Sequence, residues 1–202
     1  MKKRIPVLIA LLLWVSLPGC NKEEQRLDSY FVEFATVIVE GTNYRFRLDD
    51  GTLLTPRSLS YKGFHGQRVL LNFVRLEGEN IKVRKIINIF TADIRQHGFP
   101  EEYRNAPVKI ESIWVRGGYL NLVLEIEYHD KDHQFALFRD RSAATIDLYL
   151  SHDTNNDPPG SMQKRYASFN LKDLRNGSTD PIPFRVIINS YTGTRIFNFE
   201  LK

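Results

Sequence analysis

The chain has 202 residues, 28 Lys and Arg against 24 Asp and Glu, a formal charge of +4 and a hydrophobic content of 42%. This supplies enough apolar material for one or two packed domains, and the nearly balanced charge excludes a general nucleic-acid binder. Cys20 is the only cysteine, which excludes a disulfide framework and leaves packed cores to hold any exported domain together.

In chain order, Lys2, Lys3 and Arg4 form a positive start, and Ile5 to Val15 is an apolar run. That run is too short to cross about 30 Å of hydrocarbon, which takes roughly 20 residues, so it reads as a signal peptide. Leu17-Pro18-Gly19-Cys20 resembles the bacterial lipobox, in which cleavage precedes a lipidated cysteine. The resemblance implies a signal peptide over 1–19, a lipid on Cys20 and attachment to a membrane. Removing the three charges of residues 2–4 leaves the mature chain at +1. Residues 20–28 read as a solvated tether. Within it, Lys22-Glu23-Glu24 resembles the Lys-acidic-acidic export signal of surface lipoproteins in some Bacteroidota, with a plain charged linker as the other reading.

Phe31 to Val39 is dominated by β-branched and aromatic residues, and Tyr44, Phe46 and Leu48 alternate with Arg45, Arg47 and Asp49. Asp49-Asp50-Gly51 marks a turn, and further strands are expected over about 68–76 and 81–89. In the second of these, Ile81, Val83, Ile87 and Ile89 are expected on one face. Five short strands without a helix predict a small OB-like barrel over 29–98. Arg45, Arg47, Lys82 and Arg84 fall on its outer faces and read as a solvated basic surface. Residues 96–107, with one Gly and two Pro, read as a boundary whose linker is 99–105. A second β signature follows. Gly117-Gly118 joins two alternating runs, and seven strands over 106–202 predict an immunoglobulin-like antiparallel β-sandwich. The fold class is therefore all-β, a barrel followed by a sandwich.

Two clusters have metal-like residue types. His129-Asp130-Lys131-Asp132-His133 falls at a hairpin tip, where the imidazoles need not converge. Asp153 to Asp157 begins like a calcium loop, but Pro158 and Lys164 stand where glycine and the bidentate glutamate belong. No metal and no cofactor is expected, and no catalytic signature is present. Tyr119 and Tyr191 alternate away from the apolar faces of their strands, making them the candidate binding aromatics.

The lipobox, the barrel segment Phe46-Arg47-Leu48-Asp49-Asp50-Gly51-Thr52 and the closing Ile196-Phe197-Asn198-Phe199 together resemble the NigD-like lipoproteins of the Bacteroidota. The resemblance implies a non-enzymatic protein of the outer membrane, on the cell surface or the periplasmic leaflet, with a protein partner and a role in bacteriocin immunity. It brings no catalytic residues. The alternative is a carbohydrate-binding accessory of a glycan-uptake system, using exposed Tyr rings.

Overall fold

A computed structural model describes residues 30–175, 177 and 179–202. The expected signal peptide, tether, Cys20 lipidation and Lys22-Glu23-Glu24 signal lie outside these residues. Among the described residues, no helix is long and apolar enough to cross a membrane.

The first five strands are β1 (Tyr30–Glu40), β2 (Asn43–Leu48), β3 (Leu53–Pro56), β4 (Arg68–Arg75) and β5 (Asn80–Asn88). They close into a barrel in the order β1-β2-β3-β5-β4. Alternation puts Ala35, Val37, Phe46, Leu48, Leu54, Val69, Leu71, Phe73 and Ile81 inside. The register between β4 and β5 shifts where Asn72 faces Lys85 while Phe73 faces Val83. The extra residue reverses the alternation of β5. Ile86, rather than the expected Ile87, therefore packs on the barrel core.

The second body contains β6 (Phe90–Arg95), β7 (Lys109–Arg116), β8 (Tyr119–Tyr128), β9 (Gln134–Asp140), β10 (Asp147–Asp153), β11 (Ser161–Asn170), β12 (Ile182–Ser190) and β13 (Gly193–Leu201). A single-turn helix, α1 (Lys172–Arg175), follows β11. One sheet orders β7-β8-β11-β6, the other β6-β9-β10-β12-β13. Strand β6 belongs to both: Phe90–Asp93 pair with β11, and Ile94 and Arg95 pair with β9. Leu120, Leu122, Leu124 and Ile126 of one sheet pack against Leu137, Leu148, Leu150, Val186 and Ile188 of the other. The class and the order of barrel then sandwich are those expected. In detail the sandwich is mixed, because β6 with β11, β6 with β9 and β10 with β12 run parallel.

The expected domain limits need correction. Strand β6, placed within the barrel at 29–98, pairs only in the sandwich, so the change of body falls between β5 and β6. Residues 99–105 are not a free linker. Phe99 stacks on Tyr149 with ring centres 4.4 Å apart, and Tyr103 meets the same ring at 5.8 Å. The backbone N–H of His152 donates to Arg104 at 2.8 Å, and that of Arg104 donates to the Ser151 hydroxyl at 2.9 Å. The Gly and Pro residues mark a turn correctly, but its aromatic side chains pin it across the outer face of the second sheet.

Candidate functional site

Barrel and sandwich meet around a fully buried arginine. Arg68 donates to both carboxylate oxygens of Asp49 (2.6 and 3.0 Å), to Thr36 Oγ1 (3.1 Å) and to Asn121 Oδ1 (3.0 Å). Asn121 Oδ1 also accepts from the Ser168 hydroxyl at 2.7 Å. Tyr119 covers the guanidinium, with its ring centre 4.4 Å from Cζ. Beside this group, Phe34 meets Trp114 edge-on at 5.0 Å and Tyr166 at 6.2 Å. Tyr119 is therefore half-buried at the seam rather than displayed, which corrects its expected role as an exposed ring. Its strand alternates as expected, but the face opposite the sandwich core is covered by the barrel.

The two histidines of the 129–133 segment stay apart. His129 is exposed, whereas the side chain of His133 is buried and pairs across the sheet with His152 at 2.8 Å. His133 Nε2 lies 3.1 Å from Asp157, and His152 Nδ1 lies 3.2 Å from the Ala106 carbonyl. Asp157 is buried, which pushes its carboxyl up. Bonds from the backbone N–H groups of His129, Asp130 and Lys131, with His133, outweigh this and hold it well below the usual range. Burial, reinforced by His133, pushes His152 down to about 4. The two imidazoles of the 129–133 segment do not converge. Instead the chain Asp157–His133–His152–Ala106 ties the β8–β9 and β10–β11 loops together. His129, Asp130 and Asp157 come within 4.8 Å of one another, but Asp157 already accepts from three backbone N–H groups.

The second sheet ends in a free edge. Strand β13 pairs with β12 through an unbroken register from Ile182 opposite Leu201 to Ser190 opposite Gly193. Among the described residues it has no other strand neighbour. Alternate backbone N–H and C=O groups along such an edge face away from the sheet and template another strand. The usual guards are sparse, since β13 has neither proline nor bulge and only Arg195 and Glu200 carry charge.

Apolar side chains run out to this edge on both faces. On the outer face Phe138, Tyr149, Ile187 and Ile196 stand directly opposite one another on β9, β10, β12 and β13. Phe138 and Ile187 are buried, at 1% and 8%, Tyr149 is half-buried, and Ile196 at the edge is 56% exposed. On the inner face Leu148, Val186 and Phe197 align in the same way, and Phe184 meets Phe199 at 5.7 Å. Phe197 and Phe199 remain half-buried. A cleft of about 340 Å³ opens beside one end of the edge, lined by Ile146, Pro183, Phe184 and Phe199. At the other end the Ser190 hydroxyl donates to the Gly193 carbonyl at 2.6 Å and shapes the turn that carries exposed Tyr191. The Tyr191 hydroxyl accepts from the Glu127 N–H at 3.3 Å, anchoring that turn to β8.

Sequence reading missed Arg68, Ile196 and the His133–His152 pair. A charged residue opening the apolar run of β4 is the trace of the first, and Asp49 in the Asp-Asp-Gly turn is its partner. Ile196 is only one of many strand isoleucines until the strand order makes it an edge residue.

A barrel whose buried arginine reaches Asn121 and Tyr119 of a mixed sandwich with an open edge defines a two-body β protein. Residues 91–201 match the model of the NigD-like C-terminal beta sandwich domain, and the chain belongs to the NigD-like family. Its structure is similar to that of a protein described as toxin-related from Parabacteroides distasonis ATCC 8503. The TM-score is 0.78 at 28% identity, over 86% of this chain and 94% of that one. It shares its fold with a NigD-like immunity protein from Bacteroides caccae ATCC 43185, at TM-score 0.63, 18% identity, and 86% and 96% coverage. It also shares it with a protein described as a lipoprotein from Bacteroides fragilis NCTC 9343, at TM-score 0.64, 13% identity, and 86% and 97% coverage. No curated protein matches the chain.

Proposed function

We propose that this chain is a non-enzymatic, lipid-anchored protein of the outer membrane that captures a protein partner by adding an extended segment of it to β13. The observation that carries this is the pair of apolar rows ending in exposed Ile196 and half-buried Phe197 on an unguarded edge. Main-chain hydrogen bonds would supply affinity, and pockets for alternate side chains would supply specificity. Membership of the NigD-like family, and the fold shared with a NigD-like immunity protein, support an immunity role in which the partner is an incoming toxin. The lipobox at Leu17–Cys20 supports the anchor, and Lys22, Glu23 and Glu24 support display at the cell surface. Recognition of a glycan by stacked rings has less to stand on, since of the two candidate rings Tyr119 is committed to Arg68 and only Tyr191 stays exposed.

The test is affinity capture from intact envelopes with wild type and Ile196→Lys, which keeps β13 in place but charges its outer row. Loss of the apolar contact that exposed Ile196 would make with the added strand predicts about tenfold weaker capture. A glycan bound in an array and lost with Tyr191→Ala, with no protein captured by wild type, would overturn the protein-binding role.

A further inference from the structure

The start of β1 carries a second apolar surface, separate from the β13 edge. Tyr30, Phe31 and Val32 are consecutive and expose 63%, 39% and 47% of their surface. Tyr30 and Val32 continue the outward face of the strand beyond Phe34, which is covered by Trp114, and Phe31 stacks on Phe73 at 5.6 Å. The guanidinium of Arg75 lies over both rings, 5.3 Å from the centre of Phe31 and 5.9 Å from that of Phe73. A cleft of about 380 Å³ adjoins the patch, and Val32, Arg75, Trp114 and Arg116 line it. Of the carboxylates that line it, Glu33 is exposed and Asp49 pairs with Arg68. Asp50 accepts from the Thr52 N–H at 2.9 Å and lies in the field of Arg116 and Arg75.

The position of this patch along the chain selects its occupant. Tyr30 is ten residues from Cys20. At about 3.3–3.6 Å per residue a fully extended segment spans at most roughly 35 Å, so this end of the barrel cannot travel far from an anchored lipid. Aromatic rings with an arginine folded over them suit the headgroup zone. There the rings enter the acyl boundary while the guanidinium meets phosphate. We propose that Tyr30, Phe31, Val32 and Arg75 dock onto the phospholipid surface of the anchoring membrane. This rests on the lipid-anchor part of the proposed function. It gives the barrel a fixed orientation at the bilayer and leaves the β13 edge to a partner. Phe64 makes the internal control. It is 65% exposed but sits in the loop whose His65 and Gly66 bond to Val39 and Val37, roughly 23–30 Å along β1 from Tyr30.

The mature lipidated protein in vesicles of phosphatidylethanolamine and phosphatidylglycerol, doped with bromine-labelled phosphatidylcholine, provides the test. Tryptophan placed at Tyr30 should shift to the blue and lose at least half its emission to bromine, above the wild-type Trp114 signal. Tryptophan placed at Phe64 should do neither. Unquenched emission at position 30, with a fatty-acid mass present on Cys20, would overturn docking and leave the anchor standing. If that mass is absent the anchor fails, and docking is then decided by flotation of unlipidated residues 21–202, which contain both cores, with the same vesicles. Flotation reduced about tenfold by Phe31→Ser and Val32→Ser together, in protein that keeps its circular dichroism, supports docking. No flotation of the unaltered chain overturns it.

Discussion

Replacing Arg68 with methionine removes a charge that no water reaches. In the folded protein Asp49 would keep its position, with its side chain only 9% exposed, but lose both guanidinium bonds, at 2.6 and 3.0 Å. Thr36 and Asn121 would each lose one further donor, and Tyr119 its cation. Breaking a buried pair by removing one partner costs about 3–5 kcal/mol, because the remaining charge is uncompensated. Removing both charges costs much less, so Arg68→Met with Asp49→Leu should recover about half or more of the loss. Chemical denaturation followed by circular dichroism and Trp114 fluorescence measures all four corners of the cycle. The expected coupling is about 2 kcal/mol or more. A stability of Arg68→Met within about 0.5 kcal/mol of wild type would refute the assignment of Arg68 as the buried centre on which barrel and sandwich meet.

Gly117 has φ of +63°, and a Cβ there would stand 2.8 Å from Asp49 Oδ1, so Gly117→Ala should cost about 1–2 kcal/mol, measurable by the same denaturation. His152 in the fold titrates at about 4, below its ordinary 6.5, so folding favours its neutral form. Its contribution is complete above pH 6.5 and is lost as the pH falls toward 4, by up to about 3 kcal/mol, and His152→Gln should flatten that slope in a pH series of denaturation midpoints. Trypsin should spare Arg95 and Arg104 in the native protein, because the intervening loop is pinned by Phe99 and Tyr103; Phe99→Ser with Tyr103→Ser should expose both sites, and fast cleavage of wild type there would restore the free-linker reading.

Local alternation carried most of the strand map. Leu120, Leu122, Leu124 and Ile126 are buried as their spacing requires, and Gly117-Gly118 turns the hairpin it announces. What pattern could not carry was decided by distant partners. The outward face of β8 looks like a solvent face in sequence, yet Asn121 and Tyr119 lie under the barrel because Arg68 reaches them from 53 and 51 residues away. Strand β6 continues an apolar run from β5, and only its parallel partners β11 and β9 assign it to the sandwich. The edge of β13 is likewise a property of strand order. Ile196 and Ile187 are equally apolar, and one is exposed because, among the described residues, no strand pairs with the outer edge of β13.

Photo-crosslinking from the edge itself tests partner capture most directly. With benzoylphenylalanine at Asn198, the middle of the exposed outer run of β13, irradiation of intact cells should yield one discrete protein adduct. Ile196→Lys in the same chain should reduce it about tenfold. The same crosslinker at Lys82, on the outer face of β5, should yield none. Adducts from Lys82 but not from Asn198, or an Asn198 adduct indifferent to Ile196→Lys, would contradict capture at the edge.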